Sequence, residues 1–436
     1  MRRKTLLLTL LAMITLLSLP ACDTVSNIPS TSSFGTTTTR EQTITHPTTT
    51  MPTGSIPTPT TVPLPPVESN PPNTTYAPAF SGQTRIAGVK TTTPYDVKIL
   101  TKDLVSPWAV SPLPDGRLVI TEKAGTMRIA TTTGELSSPI GGFPSVDDRG
   151  QGGLLDVAPS PDFAADRMLY FTLAESTPAG SLTAVARGRL SDDETMVEQI
   201  EILWRAIPYY DNSMHFGGRI VFDSNGDLFV STGERSDLAT RPLAQDLDNG
   251  YGKVVHITIE GEPVSDNPFL GHPGVLPEIY AYGLRNAQGL AIHPLSGELW
   301  LDEMGPRGGD ELNLVKAGKN YGWPVISYGI EYSGQPIPGG LTTQEGMEQP
   351  VYYWDPVIAP SGMTFYPYDT IPEWENNLFI GGLRGQHIAR LVIEGDRVVG
   401  EERLLASEEQ RFRDVAAGLD GALYAVTDEG WLYRIG

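Results

Sequence analysis

A short pattern, a tight turn followed by an alternating strand, recurs along the chain and limits its fold more than any other feature. It reads Asp115-Gly-Arg-Leu118, Asn225-Gly-Asp-Leu228, Ser296-Gly-Glu-Leu299 and Asp420-Gly-Ala-Leu423, each running on into β-branched or aromatic residues. Looser copies are Asp166-Arg-Met-Leu169 and Glu375-Asn-Asn-Leu378. Asx-Gly pairs favour tight hairpin turns, and the residues that follow favour strands. The six leucines stand at 118, 169, 228, 299, 378 and 423, hence 45 to 79 residues apart. That is blade-sized repetition with loop insertions, the mark of a propeller rather than a sandwich. Long helical periodicity is nearly absent, which argues against an α/β barrel. Strand-like runs at both ends, Tyr95–Leu100 and Trp431–Ile435, would share a blade in a closed ring and so remove free edges. The expected fold is all-β, a six-bladed β-propeller spanning residues 84–436 with its site in the central channel.

The N-terminal part reads differently. Arg2, Arg3 and Lys4 precede an apolar run from Leu6 to Leu19, and the run ends at Pro20-Ala21-Cys22. This is a signal peptide over residues 1–21, and cleavage before Cys22 would give a lipid-anchored protein outside the cytoplasm. Plain secretion, or release into a periplasm, is the alternative. The run is short for a membrane span. Residues 22–83 are rich in Thr, Pro and Ser and are expected to form a disordered tether, because so few apolar side chains cannot offset the entropy of ordering. Cys22 is the single cysteine, so no disulfide can form within the chain. A net charge of −21 argues against a nucleic-acid partner.

Several segments carry chemistry. His215 lies in Asn212-Ser-Met-His215-Phe-Gly-Gly-Arg219, where glycines allow close approach of a ligand and the imidazole suits proton transfer. Gln151 sits among glycines, and Arg285-Asn286 follows Tyr282-Gly-Leu. Arg411 and Arg413 are two apart, so on a strand they face the same way and repel unless an anion lies between them. With Arg285 and Arg384 also in glycine-flanked loops, an anionic ligand in the channel is the better reading. Gly305, Pro306, Asp310 and Glu311 offer the oxygen ligands that suit calcium. Asp223-Ser-Asn-Gly-Asp227 mimics a calcium loop but is expected to be an ordinary turn, and His256 is expected to be structural. No two histidines lie three or four residues apart, and neither a Gly-x-Ser-x-Gly elbow nor a phosphate-binding glycine loop is present.

Taken together, Gly150-Gln-Gly-Gly, His215-Phe-Gly-Gly-Arg, Arg285-Asn-Ala-Gln-Gly, Gly305-Pro-Arg-Gly-Gly-Asp-Glu and Arg411-Phe-Arg-Asp resemble the soluble pyrroloquinoline-quinone (PQQ)-dependent aldose sugar dehydrogenases, a glucose/sorbosone dehydrogenase-like family. The match runs in order from about Val105 to the C-terminus. The resemblance implies a six-bladed propeller that oxidises aldose sugars to lactones, with PQQ and Ca²⁺ as cofactors and an unidentified extracytoplasmic electron acceptor. It implies His215 as general base and Arg285 and Asn286 beside the reacting quinone oxygens. Gln151, Arg384, Arg411, Arg413 and Tyr332 are implied as further cofactor contacts, Arg384 standing where lysine is common. The carbonyls of Gly305 and Pro306 are implied as ligands of the calcium on the quinone, with Glu311 and the Tyr321 backbone at a second, structural calcium. Met214 stands where glucose dehydrogenases of this family often have an acidic residue, which leaves no obvious carboxylate to orient His215. Two other readings stay open: a calcium-dependent propeller lactonase, and a non-enzymatic tethered propeller that binds carbohydrate or protein.

Overall fold

The computed structural model describes residues 63–436, and the expected signal peptide, Cys22 and the expected tether up to residue 62 lie outside them. Six antiparallel sheets follow one another along the chain. The first blade holds β2 (Pro107–Pro112), β3 (Leu118–Glu122) and β4 (Thr126–Ala130). The second holds β5 (Leu154–Pro159), β6 (Met168–Thr177), β7 (Gly180–Leu190) and β8 (Val197–Arg205). The third holds β9 (Gly217–Phe222), β10 (Leu228–Thr232), β11 (Lys253–Ile257) and β12 (Ile279–Tyr282). The fourth holds β13 (Ala287–Ile292), β14 (Leu299–Glu303), β15 (Asp310–Val315) and β16 (Tyr352–Trp354). The fifth holds β17 (Pro360–Phe365), β18 (Leu378–Gly382), β19 (His387–Glu394) and β20 (Arg397–Leu404). The sixth joins β21 (Phe412–Ala417), β22 (Leu423–Thr427) and β23 (Leu432–Ile435) to β1 (Val97–Thr101) from the other end of the chain.

The six repeated leucines mark the second strand of all six blades, as the turn pattern predicts. All six are buried between sheets, and truncating one such side chain to alanine costs about 2–5 kcal/mol. The first strands β2, β5, β9, β13, β17 and β21 each touch the next, and β21 touches β2, so the ring closes. Pairing of β1 with β23 supplies the closure inside one blade, as the end strands suggested. In every blade the register between first and second strand shifts near the start of the first strand. Bulges of this kind re-aim side chains and gather beside functional sites. Here all six lie at one mouth of the channel.

Midway along the channel Arg219 forms a plug. Its guanidinium lies 3.4 Å from Asp156 and 3.2 Å from Asp414, 4.1 Å over the Trp108 ring, and donates to the Gln288 carbonyl at 2.6 Å. Burial holds both carboxyls above the usual range, against the pull of the arginine. The plug separates a cavity of about 460 Å³ at the ends of the inner strands from one of about 520 Å³ at their starts.

One expectation needs correction. The tether was expected to run disordered to residue 83, yet residues 63–83 are packed on the propeller. Asn73 and Thr74 donate backbone and side-chain hydrogen bonds to the Asp355 carboxylate, at 2.7 to 3.1 Å. Glu68 pairs with Arg403 at 2.8 Å, and Gln83 is fully buried. The segment has too few apolar residues for a core of its own, but polar partners on the fourth and fifth blades order it instead.

Candidate active site

The larger cavity collects the loops that enter the first strands. His215 immediately precedes Phe216 and the start of β9, in a left-handed conformation (φ 49°). Its backbone N–H donates to Gln151 Oε1 at 2.8 Å, and that same oxygen accepts from Asn286 Nδ2 at 3.4 Å. The imidazole Nδ1 lies 2.7 Å from Glu234 Oε1. A carboxylate only accepts, so Nδ1 carries the proton and Nε2 presents its lone pair. Burial pushes the imidazole down to about 4, helped by the Arg285 charge and opposed by Glu234, with Arg235 adding a further downward push. The ring is therefore neutral and able to accept a proton at neutral pH. The expectation that no carboxylate orients His215 is wrong: Glu234 comes from the loop after β10 rather than from the position before the histidine.

Arg285 and Asn286 sit at the entry to β13. The Arg285 backbone N–H donates to Glu303 at 2.6 Å, and its carbonyl accepts from the Glu234 N–H at 2.9 Å. Its Nη1 reaches the carbonyls of Met304 and Gly305 at 2.7 and 2.8 Å, while Nε is buried without a partner. Asn286 is fully buried and accepts from the Gly217 N–H and from Gln288, both at 3.3 Å. Residues 151, 215, 234, 285, 286 and 305 thus form one continuous set of contacts.

Across the cavity stands a cationic wall. Arg411 Nε and Arg413 Nε each donate at 2.8 Å to a different oxygen of Asp428. The anion found between these arginines is the protein's own carboxylate, which fixes both forks; Arg411 Nη1 also donates to the Leu383 carbonyl at 3.2 Å, and the other N–H groups are left for another acceptor. Lys123 lines the same cavity, donates to the Gly150 carbonyl at 2.7 Å, and is depressed by burial and by Arg413. Met214, Met304 and Leu383 complete apolar walls. Two expected contacts are not brought in. Arg384 is exposed and Leu383 takes the wall position beside it. Tyr332 is 73% exposed on a loop outside the cavity walls, anchored nearby by Glu331 on Arg241 at 2.5 Å.

Next to this cavity lies a nest of buried acids. Glu303 and Glu311 share the Asn313 amide at 3.4 Å, and Asp310 accepts from the N–H groups of Gly305 (2.8 Å) and Ala359 (2.7 Å). Burial raises all three, and the Glu303 charge raises Glu311 further. Buried oxygen donors of this kind, with Arg285 as the cation acting on Glu303 and Asp310, fit calcium better than any softer ion. The Tyr321 phenol is already engaged, donating to the Leu314 carbonyl (2.7 Å) and accepting from the Lys316 N–H (2.8 Å), so its backbone is the part free to ligate. The Gly305 carbonyl points at Arg285 and would share its second lone pair with any metal. The Asp223–Asp227 turn hydrogen-bonds within itself, and His256 lies 3.2 Å from Asp223 and stacks on Phe229.

Residues 104–434 match the model of the Glucose / Sorbosone dehydrogenase family. The chain belongs to the glucose/sorbosone dehydrogenase family. It is 45% identical to the aldose sugar dehydrogenase YliI of Escherichia coli (strain K12), over 77% of this chain and 90% of that one. The solved apo-form of the soluble aldose sugar dehydrogenase from Escherichia coli superposes with a TM-score of 0.75 at 44% identity, covering 79% of this chain and 99% of that one. The PQQ-bound aldose sugar dehydrogenase of Streptomyces coelicolor gives a TM-score of 0.65 at 29% identity, covering 80% and 100%. In this glucose/sorbosone dehydrogenase, Glu234, Lys123 and Asp428 are the site residues that sequence reasoning missed. A usable signal existed for two of them. Lys123 and Asp428 each stand five residues after a repeated leucine, as do the wall residues Met304 and Leu383.

Proposed function

We propose that this protein is an extracytoplasmic PQQ-dependent dehydrogenase that oxidises aldose sugars at the anomeric carbon to lactones, with calcium as second cofactor. The observation that carries the reading is the His215–Glu234 pair at the edge of an arginine-lined cavity. The relatives with solved structures support it, one of them with PQQ bound. A volume of about 520 Å³ lies within the range of small-molecule sites. The remaining N–H groups of Arg411, Arg413 and Lys123 are suited to carboxylates of the quinone, and the Arg285 charge to a quinone oxygen. Gly305 and Pro306 carbonyls would hold the calcium beside it, and Glu311 with the Tyr321 backbone a structural one.

When bound, the quinone supplies an acceptor for one hydride, that is, two electrons and a proton's worth of hydrogen from the sugar C1. The chain's own residues do the rest. His215 Nε2 takes the proton of the anomeric hydroxyl as the C1–H bond breaks, so that the C1–O1 bond becomes a carbonyl. Glu234 holds the tautomer that makes this possible and stabilises the imidazolium that results. Arg285 supplies positive charge where negative charge builds up on the acceptor. The basic N-terminus, the apolar run and Cys22 support export and lipid anchoring, with the acceptor of electrons also outside the cytoplasm.

The test is to titrate the purified protein with PQQ and Ca²⁺, follow the visible spectrum, and assay dye reduction with glucose and other aldoses. A bound-quinone band and turnover that needs both additions are expected. Tight PQQ binding without turnover of any aldose would sink the substrate claim, and turnover of lactones with no quinone would favour the lactonase.

A further inference from the structure

Arg235 follows Glu234 in the loop after β10 and is 1% exposed, a guanidinium with no carboxylate in contact. Its donors go instead to main-chain oxygens. Nε reaches the Met214 carbonyl at 3.1 Å, Nη1 the Ser181 carbonyl at 2.6 Å, and Nη2 the Asn212 carbonyl and Ser181 Oγ. Its plane lies 3.9 Å over the Phe216 ring. Its backbone N–H donates to the His215 carbonyl at 3.3 Å. Residues 212, 214, 215 and 216 are therefore all gripped by one side chain and its own backbone. Two of them flank the histidine directly.

This grip has an energetic reason to be specific. A guanidinium buried without a counter-charge is costly to keep, and burial depresses this one to about 10. Three carbonyls and a ring face offset that cost only in a single arrangement of the 212–216 loop. His215 needs such a constraint, because it holds a left-handed backbone that ordinary residues avoid (φ 49°), as does Arg235 itself (φ 70°).

We propose that Arg235 is a positioning residue for His215: it clamps the loop that carries the base while its neighbour Glu234 orients the ring. The assignment rests on the reading of His215 as the base. Arg235 does not itself line the large cavity and touches its wall only through the Met214 carbonyl, so its main effect falls on the proton acceptor rather than on cofactor binding.

The test uses Arg235→Met in the enzyme reconstituted with PQQ and Ca²⁺, with glucose as substrate. The expected result is a kcat lower by about tenfold to a hundredfold, the loss that follows from misplacing a reacting group by an ångström. KM for glucose and the PQQ affinity from the spectral titration stay within about threefold. In a His215→Ala background the same substitution has no further effect on the residual turnover. A second readout needs no activity: ¹⁵N-histidine NMR of the apoprotein shows His215 protonated on Nδ1, and Arg235→Met loses that single-tautomer signature. A kcat within about threefold of the parent, or an equal loss on top of His215→Ala, overturns the proposal. Full turnover of His215→Ala alone would instead sink the base assignment, whatever Arg235 does. Should Arg235→Met not fold, Arg235→Lys keeps the charge and most of the stem over Phe216 but not the three-way fork. The same loss of kcat and of NMR signature is then expected, and parental values of both overturn the proposal.

Discussion

A base with one nitrogen fixed by a carboxylate and the other left to accept a proton is defined by its tautomer, and in His215 that definition has a measurable signature. Its ordinary value near 6.5 is lowered to about 4 by burial and by the Arg285 charge. The neutral ring is the active form, so activity requires a pH above the folded-state value. kcat/KM is expected to be flat from neutrality down to roughly pH 5 and to fall on further acidification; a pH–rate profile checks this. Glu234→Gln removes the charge that holds the imidazolium. It is expected to lower kcat by about 10–100-fold and to shift the acid limb to still lower pH, since Glu234 opposes the downward shift. Glu234 was invisible to the motif around His215 because it stands 19 residues further on, and only the fold brings it back. Arg384 and Tyr332 read as cofactor contacts by residue type and neighbours; both are exposed and neither forms the cavity's walls, and a sequence does not encode the direction of a side chain in a loop.

At the level of the blade, site residues come from two kinds of place: one to three positions before a first strand, and the position just after a second strand. Gln151, His215, Asn286 and Arg411 come from the first kind, and Lys123, Met304, Leu383 and Asp428 from the second. The turn-and-leucine pattern was legible because hairpin turns and strand alternation are local. The site residues at a fixed offset from it were equally local and went unread because each repeat puts a different residue type there. Close approach of the loops makes the geometry intolerant. A Cβ on Gly233 would sit 2.2 Å from the His215 carbonyl oxygen and 3.0 Å from Asn286 Oδ1. Gly233→Ala is expected to lower kcat at least about tenfold and stability by about 1–3 kcal/mol. Gly226→Ala, in a β10 turn with φ +87° and open space around it, is expected to cost only about 1 kcal/mol and to leave kcat unchanged. Urea unfolding and steady-state kinetics on the two variants separate the effects.

For the molecule as a whole, composition separated the N-terminal stretch from the propeller but misjudged where it ends. Thr, Pro and Ser made residues 63–83 look unable to order, and within their own sequence they are. Asp355 and Arg403 lie far along the chain, so their capture of Asn73, Thr74 and Glu68 could not be seen from the segment itself. Deleting residues up to Pro78 removes hydrogen bonds to a charged acceptor worth about 1.5–3 kcal/mol each at most. Calorimetry is expected to show a melting midpoint lower by several degrees, with kcat retained, because none of these contacts reaches the cavity.

The pairing of β1 with β23 also governs when the ring can be finished. The first strand of the propeller to leave the ribosome has its partner in Leu432–Ile435, after all the other blades, so it must wait, unpaired, while five blades assemble. A nonsense or frameshift lesion near Trp431 would remove β23 and leave the circle unlatched.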